Sequence, residues 1–329
     1  MALANFFFPK KSPLDLFVMP TAVSLFSGCG GSDAGIIKAG FDVLMANDKL
    51  PYARDVYLAN HPDTDYILGN VELIPSFPKA DLLVGCYPCQ GFSQGGVREP
   101  DRKINKLYQE FARALRDIKP KAFIVENVSG MVRQNFRHLL EDQIKIFSEA
   151  GYAVEAEVLN SVDFGVPQER KRIFIVGIRN DIGCKYRFPS PTHGGNKQPV
   201  KTIRDAIGDM PEWPTGEFYD YGFHWYYLSR DRRRDWNQPS KTIVANPRHT
   251  PLHPLSPPLE KICHNVWRFA TDGPARRFSY KEAARLQGFG DVIFPETKAS
   301  SLNAKYTVIG NAVPPPLFEA VARALPDMW

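Results

Sequence analysis

The sequence predicts an α/β protein built on a doubly wound, mostly parallel sheet, with a second, smaller loop-rich region. Three observations point there. Apolar runs of strand length alternate with helical patterns from Thr21 to Leu159, the arrangement of βαβ units. A glycine-rich turn follows the first run, where such sheets hold their ligands. Between residues 185 and 277 the chain then changes character: 12 of its 28 prolines fall there, with 15 Lys and Arg against 9 Asp and Glu, so this stretch carries the basic footprint of a chain whose net charge is +5.

Residues 1–20 read as an irregular extension, with apolar residues ahead of basic ones and no small-residue cleavage pattern, which is a poor signal peptide. Thr21 to Phe26 is a short strand running into Ser27-Gly28-Cys29-Gly30-Gly31-Ser32-Asp33. Glycines there let the backbone turn tightly and approach a nucleotide-like cofactor, or simply turn, and Ser32 or Asp33 could cap a helix from about Ala34 to Ala39. Strand Val43–Ala46 ends at Asn47-Asp48. An acidic residue after the second strand commonly takes ribose hydroxyls, though it can equally cap the next helix.

Helix Tyr52–Asn60 and a strand near Tyr66–Leu68 follow, then strand Leu82–Val84, which runs into Gly85-Cys86-Tyr87-Pro88-Cys89-Gln90-Gly91-Phe92-Ser93. The Pro-Cys dipeptide forces a turn and places a thiol at the carboxyl end of a buried strand. A structural cysteine and a Cys-x-x-Cys redox or metal pair compete with a nucleophile at this point. Helix Leu107–Ile118, strand Ala122–Val125, helix Phe136–Glu149 and strand Ala153–Leu159 complete the alternation.

Glu126-Asn127-Val128 leaves its strand at the same sheet edge as Cys89 if both strands run parallel. A carboxylate there is partly desolvated and suited to hold a proton, or it caps the turn at Ser129-Gly130. In Gln168-Glu169-Arg170-Lys171-Arg172, period-2 placement sends Arg170 and Arg172 to one strand face, where two guanidiniums can hold an anion or a planar polar edge, or bridge structural carboxylates. Lys281–Gln287 reads as a helix in which Arg285 pairs with Glu282 three positions earlier, and Leu317–Leu325 as a closing helix that returns to the first domain.

Five scattered cysteines argue against a disulfide framework, and a single close pair argues against structural zinc. No apolar stretch approaches the ~18 residues of a membrane span, so the expected home is the cytoplasm.

With these pieces in order, the chain from about Val23 to its end resembles the cytosine carbon-5 DNA methyltransferases. Phe26-Ser27-Gly28-Cys29-Gly30-Gly31 is similar to the family's cofactor loop, Pro88-Cys89-Gln90-Gly91-Phe92-Ser93 to its nucleophile loop, and Glu126-Asn127-Val128 to its acid loop. Gln168-x-Arg170-x-Arg172, Glu282 to Phe289 and Gly310-Asn311-Ala312-Val313-Pro314 follow in the expected order.

The resemblance implies a Rossmann-like, S-adenosylmethionine-dependent fold and methyl transfer to carbon 5 of a cytosine flipped out of double-stranded DNA. Cys89 matches the nucleophile, Glu126 the acid at ring nitrogen 3, and Arg172, with Arg170 near it, the holder of the base's carbonyl edge. Phe26, Gly28, Cys29, Gly30, Gly31, Asp48, Lys49, Asn70, Val71, Pro88, Leu107, Asn311 and Val313 match the cofactor site. Lys49 stands where the family often has an aromatic and Asn70 where it usually has Asp, so weaker adenine contacts are expected.

The resemblance also places a target-recognition domain at 179–288, inserted into a discontinuous catalytic domain of 21–178 and 289–329. There Ser229 to Trp236 and Arg248 to Pro254 are similar to a subgroup of bacterial type II modification enzymes that includes GGCC methylases. Ser93, Arg230, Arg232, Arg234 and Arg248 are the expected DNA contacts, with no metal, no obligatory protein partner and a monomer expected. The same chemistry on transfer RNA, a thiol–disulfide oxidoreductase using Cys86 and Cys89, and a decayed DNA-binding methylase are the rival readings.

Overall fold

The computed structural model describes residues 19–88 and 107–329, so Cys89 and Ser93 lie outside the described residues. In chain order the elements are β1 (Thr21–Leu25), α1 (Gly31–Lys38), β2 (Asp42–Asp48), α2 (Pro51–Asn60), β3 (Asp65–Leu68), β4 (Leu82–Gly85), α3 (Tyr108–Ile118), β5 (Ala122–Val128), α4 (Arg137–Glu149), β6 (Tyr152–Asn160) and β7 (Lys171–Arg179). Then come α5 (Ile203–Ile207), α6 (Trp225–Leu228), β8 (Leu259–Cys263), β9 (Val266–Phe269), α7 (Tyr280–Leu286), α8 (Leu302–Asn311) and α9 (Pro315–Arg323).

Seven strands form one sheet in the order β3-β2-β1-β4-β5-β7-β6, and β8 and β9 pair as a separate hairpin. From β3 through β5 the neighbours are parallel, and the central strands β1, β4 and β5 are buried along nearly their whole length. Strands covered on both faces read as continuous apolar runs, which is why the sequence shows them plainly. The order reverses between β1 and β4, and that crevice at the carboxyl ends is where such sheets bind ligands.

The sheet is mostly parallel, as expected, but the alternation did not show which strand departs: β7 runs antiparallel to both β5 and β6. Residues 161–170 link β6 to β7 through one 3-10 turn, and a link without a crossover helix can only fold the chain back on itself.

Both sheet faces are covered. Phe111, Leu115 and Phe147 from α3 and α4 pack with Phe123 and Val125 on one side. On the other, Ile36 of α1 and Leu317, Phe318 and Val321 of α9 pack over Ala22, Leu82, Ile124 and Phe174. The contact between α1 and α9 is close: a Cβ on Gly35 would lie 2.8 Å from the Pro315 carbonyl oxygen. A third cluster joins Tyr52, Ala53 and Val56 of α2 to Ile203, Ile243, Phe278, Leu286 and Val308. Among the described residues no helix is long and apolar enough to cross a membrane.

The pairing expected inside α7 is corrected. Glu282 is buried and takes both guanidinium nitrogens of Arg276 at 2.7 and 2.8 Å while completing a capping box with Ser279. Arg285 instead faces outward to Asp209 and Asp291. A buried carboxylate needs a buried partner, and Arg285 sits on the wrong face of the helix to supply it.

Candidate active site

The loop after β1 is shaped by three residues with left-handed backbone: Phe26 at φ 59°, Gly28 at φ 55° and Gly30 at φ 90°. Helix α1 begins at Gly31 with Gly30 as its cap and no side-chain cap bond. Neither Ser32 nor Asp33 caps it, contrary to expectation. Asp33, in the first turn, is fully buried and accepts hydrogen bonds from Ser24 (2.9 Å), Ser32 (2.8 Å) and Tyr57 (2.9 Å). Burial raises its pKa and these hydroxyls oppose the shift.

Asp48, at the end of β2, does not cap α2, whose cap position is Leu50 without a side-chain bond; it braces the glycine loop instead. One oxygen accepts from the Gly28 amide at 3.1 Å and the other from the Leu50 amide at 2.9 Å, fixing the glycine loop against the start of α2. Burial raises its pKa, countered by those amides. Asn47, which the sequence reading did not single out, donates to the Ile67 and Gly69 carbonyls at 2.8 and 3.0 Å and so sets the turn ahead of Asn70 and Val71. Lys49 and Asn70 are exposed and Val71 is buried.

Cys29 sends its side chain away from the loop. Its side chain is buried in the cluster with α8 and donates to the Val308 carbonyl at 3.4 Å, and burial pushes the thiol up to about 12. Only its backbone can serve the loop. Gly31 has no such freedom: a Cβ there would lie 2.4 Å from the Val313 carbonyl oxygen. The first glycine loop and the end of α8 with the segment that follows, which carry exposed Asn311 and buried Val313, are thus in contact.

β4 and β5 are parallel, with Gly85 beside Val125, so Cys86-Tyr87-Pro88 and Glu126-Asn127-Val128 emerge at one edge. The Asn127 amide donates to the Tyr87 carbonyl at 3.1 Å and ties the two loops together. Phe26 packs edge-on to Tyr87 at 5.9 Å. Leu107 precedes α3 and packs against the same core cluster as Phe26.

Glu126 is 7% exposed and its carboxylate takes the Arg172 Nε at 2.8 Å. Burial raises its pKa, opposed by the charges of Arg172 and then Arg170. The antiparallel register sets Arg172 opposite Val128, on the face that Glu126 shares by its two-residue spacing. The Cys86 thiol is held well above its ordinary value by burial and then by the Glu126 charge. It is a protonated wall residue, which disfavours the redox reading of the Cys86 and Cys89 pair.

Arg170 does not share a surface with Arg172. Its residue is 2% exposed, and its guanidinium donates to the carbonyls of Ile243 (2.8 Å), Gly310 (3.0 Å) and Ala312 (2.9 Å). Period-2 reasoning failed here because β7 begins only at Lys171, and residue 168 is drawn sideways into a bridge with Ser240. Gln168, in the same motif, accepts from the Ile243 amide at 2.8 Å and donates to Gln287 at 2.9 Å. These buried anchors were legible only as polar residues in a motif.

Of the expected DNA contacts, Arg230 is exposed and lies over the Tyr226 ring at 4.5 Å. Arg232 donates to the His249 carbonyl at 2.5 Å, Arg234 lies 4.0 Å from Glu169, and exposed Arg248 donates through Nε to the Tyr219 hydroxyl at 2.9 Å. Arg230, Arg232 and Arg248 therefore gather around one surface formed by α6 and the 247–249 turn. Arg276 and Arg277, unremarked in the sequence, are buried beneath it.

Comparison with known proteins agrees with this geometry. Residues 21–327 match the family model of the C-5 cytosine-specific DNA methylases. The chain is 37% identical to the Type II methyltransferase M.BsuRI of Bacillus subtilis, covering 92% of this chain and 78% of that protein. It is 36% identical to the Type II methyltransferase M.NgoPII of Neisseria gonorrhoeae over 92% of this chain and 94% of that one. Among solved structures, a prophage-encoded DNA modification methyltransferase of E. coli superposes with a TM-score of 0.69 at 21% identity, covering 93% and 98% of the two chains. S. pombe Dnmt2 gives 0.64 at 17% identity, covering 92% and 96%. With the family model spanning nearly the whole chain and relatives above 30% identity over nine-tenths of it, the chain belongs to the C-5 cytosine-specific DNA methylases.

Proposed function

We propose that the Glu126–Arg172 corner is the base-holding end of the active site and that Cys89, directly after Pro88, is the nucleophile. The chain is a DNA cytosine-5 methyltransferase. The observation that carries the assignment is the buried carboxylate of β5 paired at 2.8 Å with the guanidinium of β7, beside the loop leading into Cys89.

Carbon 5 of cytosine is a weak nucleophile. Addition of the Cys89 thiolate to carbon 6 pushes electron density toward carbon 5 and ring nitrogen 3. Glu126, its pKa raised by burial, holds a proton at nitrogen 3 and absorbs that charge. Arg172 orients Glu126 and offers N–H donors to the base's carbonyl edge. Loss of the carbon-5 proton then restores the ring double bond and expels Cys89 as thiolate.

S-adenosyl-L-methionine, when bound, supplies the methyl group that carbon 5 receives, leaving S-adenosyl-L-homocysteine. The residues present fit it. The left-handed turn at Gly28 and Gly30, the Asp48 carboxylate and the segment at Val313 form one cradle. Phe26, Gly28–Gly31 and Asp48 would hold its amino-acid and sugar parts, with Lys49, Asn70, Val71, Pro88 and Leu107 around the adenine and ribose and Asn311 and Val313 closing the far side.

Residues 179–288 serve as the target-recognition region in this reading, and Arg230, Arg232, Arg234 and Arg248 as its DNA contacts, with Ser93 on the strand. Arginine is the commonest bidentate reader of guanine, which supports a short GC-rich site similar to GGCC. In this reading the enzyme acts as a monomer on double-stranded DNA in the cytoplasm, as the modification half of a restriction-modification pair, a role that its likeness to Type II methyltransferases supports. Labelled-methyl transfer to duplex DNA and to transfer RNA, with bisulfite sequencing of DNA from expressing cells, tests this. Methylation of transfer RNA alone would overturn it.

A further inference from the structure

We infer that Tyr219 is a specificity-positioning residue: its hydroxyl fixes the guanidinium of Arg248 before DNA arrives, so that discrimination at one base pair depends on a side chain that touches no base. The inference rests on the reading that Arg248 contacts a base.

The Arg248 side chain is exposed, and a long exposed arginine ordinarily samples many rotamers. Here its Nε donates to the Tyr219 hydroxyl at 2.9 Å. A guanidinium is planar with five donors in a rigid fork. Tying Nε sets the plane of the fork and leaves the two terminal nitrogens for a two-point contact with a base edge. Arg248 and Tyr219 line an open cleft of about 480 Å³ together with Asn246, Asn303 and Thr307, so there is room for a partner beside the fork.

Tyr219 is itself held, and by the same group that holds Arg248. The Arg277 guanidinium, in a residue 3% exposed, donates through Nε to the Arg248 carbonyl at 3.2 Å. It also donates through Nη1 to the Tyr219 carbonyl at 3.3 Å and the Tyr221 carbonyl at 2.8 Å. Phe223 and Tyr227 pack on it at 4.3 and 4.7 Å, and Tyr219 stacks on Tyr221 with ring centroids 4.6 Å apart. One buried fork therefore fixes the spacing between the backbone that carries the reader and the backbone that carries its guide. Preorganisation of this kind removes ordering cost at the moment of binding.

The test uses the full chain with Tyr219→Phe, Arg248→Ala and the double variant. Each is assayed on a duplex library randomised across the target site and read by bisulfite sequencing, with thermal midpoints measured in parallel. Arg248→Ala should lose about 10- to 100-fold of discrimination at one base pair. Tyr219→Phe, which deletes only the hydroxyl, should lose about 3- to 10-fold at that same pair, keep its thermal midpoint, and add nothing in the Arg248→Ala background. A wild-type profile for Tyr219→Phe alongside a relaxed Arg248→Ala overturns the inference and leaves the underlying reading intact. So does an effect at a different base pair, an effect that persists without Arg248, or a uniform loss with a lowered midpoint. An unchanged Arg248→Ala overturns the reading itself.

Discussion

Replacing Gly31 by alanine should damage cofactor binding more than stability. The added Cβ would lie 2.4 Å from the Val313 carbonyl oxygen, 3.2 Å from its amide nitrogen and 3.1 Å from the Phe289 ring. Ordinary contact needs about 3.4 Å, so the glycine loop and the Val313 segment must part by roughly 1 Å, and packed interiors resist such shifts. Overpacking of this size costs about 1–3 kcal/mol. Gly31 has no positive φ, so alanine also gains about 0.4–1 kcal/mol through the unfolded chain, leaving a net loss between about 0 and 2.6 kcal/mol. The two parted segments are the opposite walls of the proposed cofactor cradle, so affinity for S-adenosylmethionine should fall at least about tenfold, since 1.4 kcal/mol is a factor of ten. Gly40→Ala is the control: Gly40 has φ 102° with nothing within 4 Å of a new Cβ, so backbone strain costs stability there without touching the cradle. Calorimetric titration of the cofactor and thermal unfolding of both variants separate the effects. Equal affinities for Gly31→Ala and Gly40→Ala would refute the reasoning.

Three further outcomes follow from the buried charges. His253 accepts the Leu255 amide through Nδ1 at 3.2 Å and faces Glu282 through Nε2 at 3.5 Å; burial, then the Arg276 charge, lowers its pKa to about 3. The unfolded chain, titrating near 6.5, binds the proton first, so stability falls as pH drops below about 6.5 and continues falling to about 3. The loss between pH 6.5 and 5 should be about 2 kcal/mol, and urea denaturation of His253→Gln should show a flatter slope. Glu126→Gln should lower methyl transfer by about 10²–10⁴ with DNA binding retained in a gel shift. Because burial raises the Glu126 pKa, the protonated form is lost only as pH rises through that raised value, and the wild-type rate limb tied to it should be absent in the glutamine variant. Arg170→Lys keeps the charge but reaches fewer of the three carbonyls that Arg170 serves, so denaturation should show a loss of about 2–4 kcal/mol.

What was legible in the sequence divides along physical lines. β1, β4 and β5 announced themselves because strands buried on both faces must be apolar throughout, and the motif order carried the family. Strand direction is not written in an apolar run, and the reversal of β7 was signalled only by a link of residues 161–170 too short for a crossover helix. Spacing three apart suggested that Glu282 pairs with Arg285, but a fully buried carboxylate took Arg276 from the preceding loop. Arg276-Arg277 went unremarked, because the aromatic cage over Arg277 comes from residues 219–227, some fifty positions away. Nor could Cys29 be told from its glycine neighbours until its side chain was seen to leave the loop for α8.

The reversal of β7 is also what completes the site. In a parallel strand the residues at the amino end lie at the edge away from the ligand crevice, and Arg172, second in β7, would then be a strand's length from Glu126. Running antiparallel to β5, β7 instead starts at the crevice, so Arg172 meets Glu126 there and the residues just before it turn toward Ser240 and Ile243. Gln168 and Arg170 grip Ile243, five residues before Arg248, and Arg170 also grips the Gly310 and Ala312 carbonyls beside the cofactor cradle. A Cβ on Gly310 would come within 2.2 Å of the Ala245 amide, so this junction has no slack. The start of one reversed strand thereby joins the Glu126–Arg172 pair, the proposed cofactor segment and the loop that carries Arg248, and a displacement at any of the three must be taken up at the other two.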